Sequence, residues 1–147
     1  MLEYNADTQT ALLEASVVQW HWLEDTRPQS DQFNSLHEKL IDQWRTLKGP
    51  AAGGPLWFAT VKDNDEDFGN TEYLRDTALQ AGWDARAVWI EDLGWDSSRQ
   101  RFVDLADTPV ERIFKLYPWE WMVREAFAPH LLRGTAHRIE PALESSR

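Results

Sequence analysis

The chain has 147 residues, of which 42% are hydrophobic and 12% aromatic, and a formal net charge of −10. That length suits one domain with a sizeable core, and so apolar a composition excludes a disordered chain. The acidic balance excludes the basic face that duplex nucleic acid or an anionic membrane needs, while the absence of cysteine excludes disulfides, thiolate catalysis and Cys-ligated zinc.

Met1 leads directly into Leu2-Glu3-Tyr4-Asn5, with no basic region followed by an apolar stretch, so a cytoplasmic protein without a signal peptide is expected. Residues 2–5 read as the end of a strand, with Asp7 or Thr8 capping the helix after it. From Ala11 to Leu23 the positions Leu12, Ala15, Val18 and Trp22 recur at helical spacing, widened by Leu13 and Val17. Arg27-Pro28 breaks this helix. Ser30 or Asp31 caps a second helix reaching Leu47, with Phe33, Leu36, Leu40, Ile41 and Trp44 facing inward.

Leu56 to Val61 is apolar on both faces, which is how a strand covered by helices on both sides reads. Asp63 to Asp67 then forms an acidic loop. A helix from Asn70 to Gln80 carries Tyr73, Leu74, Thr77 and Ala78 inward and is closed by Ala81-Gly82. Ala85 to Ile90 is the next strand, completing a βαβ unit with parallel strands. Phe102 to Leu105 and Arg112 to Tyr117 read as further strands, and Pro118 starts a helix carrying Trp119, Met122, Phe127 and Leu131. The expected fold class is α/β, with a mostly parallel sheet of four to five strands flanked by helices.

Three places carry candidate chemistry. Glu3 and Asn5 share one face of a strand, and a carboxylate beside an amide oxygen suits a hard cation such as Mg²⁺; the alternative is a strand end with nothing bound. Asp7, Thr8 and Thr10 lead into a helix N-terminus that can hold an anionic group. The acidic run Asp63, Asp65, Glu66 and Asp67 sits where open α/β sheets place ligands, beyond the carboxyl end of a strand. By spacing alone it reads as a solvated loop with Asp67 as the helix cap. Lys115, a lone cation in an apolar strand, meets an anion or snorkels to a sheet edge, and core packing accounts for Trp119-Glu120-Trp121. The four histidines show no metal-ligand spacing, and no Ser-His pairing or Gly-rich phosphate loop is in evidence.

Taken in order, several segments resemble the glutathionylspermidine synthase family, in its synthetase domain and stand-alone bacterial relatives. They are Leu2-Glu3-Tyr4-Asn5-Ala6-Asp7-Thr8, Leu13-Glu14-Ala15, Asp31 to Leu40, Tyr73-Leu74 through Gly82, Glu91-Asp92-Leu93-Gly94-Trp95-Asp96, and Phe114-Lys115-Leu116-Tyr117-Pro118-Trp119-Glu120-Trp121. The resemblance implies an ATP-grasp-like fold and an ATP-dependent acid–amine ligase, which turns a carboxylate into an acyl phosphate and passes it to an amine. Small-molecule partners are implied, glutathione or another peptide and a polyamine-like amine. It further implies Glu3 and Asn5 as Mg²⁺ ligands, Thr8 and Thr10 near the peptide, and Glu66 and Asp67 at the peptide and amine site. Asp67 replaces a glutamate of the family, and Leu116 stands where polyamine-conjugating members carry threonine.

On the same resemblance, an Arg and an Asp precede the first strand and the nucleotide-binding lysines follow the last segment. Residues 1–147 are therefore expected to form the central part of a ligase domain, inactive alone. A non-catalytic acidic binding module and an inactive remnant are the alternatives.

Overall fold

The computed structural model describes residues 11–48, 53–116, 119–124, 127–131 and 137–138. The strand read over residues 2–5 lies outside them, as do Glu3, Asn5, Thr8 and Thr10.

Strand β1 (Leu56–Thr60) is buried at all five positions, because Leu-Trp-Phe-Ala-Thr offers packing surface to both faces of a sheet. It pairs in parallel with β2 (Ala85–Trp89) on one side. On the other side it pairs, also in parallel, with the fifth strand in chain order (Arg112–Lys115). A further parallel strand (His137–Arg138) completes a four-stranded sheet. The α/β expectation and the mostly parallel sheet hold.

Alternation along β1 divides the core in two. Leu56 and Phe58 face the helices α3 (Leu36–Lys48) and α4 (Asp65–Gln80), packing with Trp44, Leu74, Ala78 and Trp83. Trp57 and Ala59 face the opposite layer with Val88, Phe102, Ile113, Met122 and Leu131. Burying each large side chain contributes about 1.5–3 kcal/mol. Two buried indoles also need partners for their N–H groups. Trp44 Nε1 donates to Thr77 Oγ1 at 2.9 Å, and Trp83 Nε1 donates to the Trp44 carbonyl at 2.9 Å. Helix α4 ends where expected: Gly82 takes φ +88, and the Trp83 amide donates back to the Ala78 carbonyl at 3.0 Å.

The N-terminal helical region departs from its expected pattern. Helix α1 (Ala11–Leu13) runs into a π-helical segment (Glu14–Val18) and then α2 (Gln19–Thr26). The Gln19 amide donates to the Glu14 carbonyl, five residues back. That extra residue rotates every later side chain by about 100° relative to an α-helix. Val18 and Trp22 consequently stand 54% and 60% exposed instead of facing the core, and Ser16 is buried. Gln32 Nε2 and Asn34 Nδ2 both donate to the Ala15 carbonyl in this segment. With those residues so engaged, α3 starts at Leu36, later than the expected Ser30 or Asp31, and Phe33 is 94% exposed.

Phe102 and Val103 form a strand, but in a separate antiparallel hairpin of β3 (Gly94–Asp96) and β4 (Arg101–Val103). The Asp96 carboxylate accepts from the Ser98 amide, the Ser98 hydroxyl and the Arg99 amide, and this turns the chain back on itself. With β3 and β4 so numbered, Arg112–Lys115 is β5 and His137–Arg138 is β6. The single helix expected after Pro118 is divided into α5 (Trp119–Met122) and α6 (Ala128–Leu131). Trp121 is 57% exposed, so core packing does not account for it. Lys115 does not reach a sheet edge either: β5 lies between β1 and β6, and the lysine is buried. Among the described residues no helix is long and apolar enough to cross a membrane.

Candidate ligand-binding site

The carboxyl ends of β1 and β2 form one corner of the molecule, and the acidic run lies there. Its geometry differs from a loop. Asp63 adopts φ +61, a left-handed conformation that an aspartate tolerates better than most residues. Asn64 is the N-cap of α4: its Oδ1 accepts from the Asp67 amide at 3.1 Å, and its Nδ2 donates to Asp67 Oδ2 at 2.7 Å. The helix therefore begins at Asp65, well before the expected Asn70, and Asn64 takes the capping role expected of Asp67. Asp65, Glu66 and Asp67 occupy its first turn, where the helix dipole favours negative charge.

Glu66 is exposed and Asp67 half-buried. Burial raises the Asp67 carboxyl above its ordinary value, and the neighbouring Glu66 charge raises it further. One carboxylate of the pair thus stands in water and the other is partly desolvated.

A clamp fixes this turn from the side of β2. The Lys62 amide donates to Glu91 Oε1 and Oε2 at 3.1 and 3.3 Å, and Lys62 Nζ pairs with Asp92 Oδ1 at 2.6 Å. The hydrogen bond to Asp92 is the main cause that raises the Lys62 ammonium, which keeps it charged. Glu91 and Asp92 belong to a 3-10 turn (Ile90–Asp92) directly after β2, so the clamp ties the two strand ends together. Just below, Phe68 of α4 stacks on Trp89 of β2, with ring centroids 5.4 Å apart and planes at 28°.

Of the residues singled out from the sequence, the structure places Asp63, Asp65, Glu66 and Asp67 at this corner, while Glu3, Asn5, Asp7, Thr8 and Thr10 lie outside the described residues. The clamp and the aromatic stack were missed, since their partners are 29 or 30 residues apart for the clamp and 21 apart, on α4 and β2, for the stack. Their one signal was the Glu91-Asp92-Leu93-Gly94 run in the resemblance. Among the described residues, no group of three or more His, Asp or Glu side chains is placed to hold a metal ion.

The structure is thus an α/β domain with a mostly parallel sheet and a carboxylate pair beyond the carboxyl end of its central strand, the end at which open α/β sheets place ligands. The chain belongs to the glutathionylspermidine synthase preATP-grasp family, whose profile matches residues 1–145. It is 46% identical over 145 residues to a putative acid–amine ligase of Haemophilus influenzae, covering 97% of this chain and 37% of that relative. It is 25% identical over 119 residues to the bifunctional glutathionylspermidine synthetase/amidase of Escherichia coli, covering 80% of this chain and 19% of the relative. It is also 24% identical over 144 residues to the trypanothione synthetase of Crithidia fasciculata, covering 95% of this chain and 22% of the relative. The chain thus spans well under half the length of these relatives, and within its family the related proteins are ligases.

Proposed function

We propose that this chain supplies the acceptor side of an ATP-dependent acid–amine ligase, with a glutathione-like peptide as the acid and a polyamine-like amine as the acceptor. The observation that carries the reading is the Glu66–Asp67 pair, held by Asn64 at the carboxyl end of the central strand. In the reaction, a carboxylate oxygen of the peptide attacks the γ-phosphorus of ATP and ADP leaves. The amine nitrogen then attacks the acyl carbon, the C–O bond to phosphate breaks, and an amide forms as the nitrogen's second proton leaves with the phosphate. The ammonium must lose a proton before it attacks, and Asp67, its carboxyl raised by burial, is the acceptor suited to take it. Glu66, more exposed, holds the remaining positive charge. Thr8 and Thr10 are proposed to meet the peptide. One carboxylate and one amide oxygen, Glu3 and Asn5, are a donor set that a hard cation accepts together with phosphate oxygens. When bound, Mg²⁺ offsets phosphate charge.

Calorimetry with spermidine tests the acidic pair directly. The double substitution Glu66→Gln, Asp67→Asn removes two charge-assisted contacts and is expected to weaken binding by at least about tenfold. Equal affinity of the double variant and the parent chain, or no heat at millimolar spermidine, would overturn the assignment of the pair.

A further inference from the structure

Residues 61–64 turn the chain from β1 into α4, and no step of the proposed reaction uses what holds them. The parallel pairing of β1 with β2 ends at Thr60 and Trp89. The Lys62 amide lies beyond that ladder, so it must find its acceptor in a side chain or in water. One residue on, Asp63 adopts φ +61, a conformation that persists only where the surroundings impose it. Asn64 then caps α4, bonding both the main chain and the carboxylate of Asp67. A small rotation within this link moves the cap, and the first turn of α4 with it.

Glu91 supplies the acceptor, with its two carboxylate oxygens 3.1 and 3.3 Å from the Lys62 amide nitrogen. It is itself held firmly. Glu91 stands in the 3-10 turn Ile90–Asp92, whose Ile90 is buried in the core beside Trp57 and Val88. The Leu93 amide closes that turn on the Ile90 carbonyl at 3.2 Å. The other arm of the clamp joins Lys62 Nζ to Asp92, with side chains 45% and 21% exposed, and so open a pair contributes little. It also grips the lysine at the far end of a flexible stem, whereas Glu91 grips the main chain. Nor is the Glu91 charge free for a ligand. The hydrogen bond to Asp92 is the main cause that raises the Lys62 ammonium, and the Glu91 charge adds to it.

We propose that Glu91 is a positioning residue for the acidic pair. Through the Lys62 amide it fixes the turn that sets Asn64, and so the place where Glu66 and Asp67 meet the amine, without touching the amine itself. This inference rests on the ligase reading above. Glu91 then differs in kind from the neighbouring carboxylates: its oxygens serve the main chain, while those of Glu66 and Asp67 serve the substrate.

Two substitutions separate position from charge. Glu91→Ala removes the acceptor, while Glu91→Gln keeps an oxygen at the same reach and removes the charge. Glu91 is exposed, so neither is expected to disturb folding, which the urea midpoint checks. Two quantities are read on this chain: solvent exchange of the Asp67 amide by NMR without amine, and spermidine affinity by calorimetry. In Glu91→Ala the Asp67 amide should exchange several times faster and spermidine should bind about fivefold more weakly. Glu91→Gln should return both to within about twofold of the parent. An equal loss of affinity in the two variants would mean that Glu91 acts by its charge, and would overturn the positioning role. Parent-like values in Glu91→Ala would overturn it too. The ligase reading fails separately. If spermidine binds and the Glu66→Gln, Asp67→Asn variant loses it while Glu91→Ala changes neither quantity, the positioning role falls and the ligase reading stands. If Glu91→Ala loosens the Asp67 amide and Glu91→Gln restores it, but the parent takes up no spermidine at millimolar concentration, Glu91 still sets the turn and the acidic pair loses its role.

Discussion

Thr77 shows how one side chain holds two elements together. Its hydroxyl donates to the Leu74 carbonyl at 2.7 Å and accepts from Trp44 Nε1 at 2.9 Å, linking α4 to α3 in a fully buried position. Thr77→Val keeps the shape and removes the acceptor. The indole N–H of Trp44 is then buried with nothing to donate to, and a loss of about 1–3 kcal/mol is expected, read as a lower urea midpoint. Sequence patterning marked Thr77 as inward-facing, since it falls on the buried stripe of α4. It did not reveal the bond, because nothing in the spacing relates position 77 to an indole 33 residues earlier. Lys115 is the opposite case: its type argued for a sheet edge, but strand order, which a single sequence does not display, puts it in the interior.

At the scale of elements, the first turn of α4 concentrates three carboxylates under one cap. Burial and Glu66 hold the Asp67 carboxyl above its ordinary value, so the fold favours its protonated form. The sign comes from linkage: the stability this group contributes is present below the unfolded carboxylate range and is lost as pH rises through the raised folded value. Asp67→Asn mimics the neutral form while an amide oxygen can still accept from Asn64. It is expected to raise the urea midpoint near neutral pH, with the two proteins converging below about pH 3; a variant less stable at neutral pH would refute the shift. Elements with a strong local pattern were legible here. The strand at 56–60 followed from its apolar run, the strand at 85–89 from the βαβ order, and the inward face of α4 from helical spacing. Those set by local side-chain bonds were not. Asn64 moved the start of α4, Asn34 and Gln32 accompanied the later start of α3, and a π-helical segment turned the stripe of the first helical region away from the core.

Across the whole molecule, apolar surface stands in water at this end, with Trp22 of α2 at 60% and Phe33, in the connection before α3, at 94% exposure. A side chain that exposed contributes little to the fold. Trp22→Ser should change stability by less than about 0.5 kcal/mol and reduce self-association in sedimentation at high protein concentration. A large loss of stability would mean that this indole packs against something. The α/β class and the βαβ unit were readable throughout; the order β2-β1-β5-β6 was not, because the chain visits the two sides of β1 in turn and no local pattern records which side comes next. That order has a kinetic consequence. β1 is joined to β2 through contacts 29 residues apart in sequence, but to β5 through contacts 56 apart. Closing the shorter loop costs less entropy, so the β1–α4–β2 unit is the natural nucleus, with β5 and β6 docking onto it afterwards. The amides of β1, bonded on both sides, would then exchange with deuterium only when the whole domain opens, and those of β6 well before.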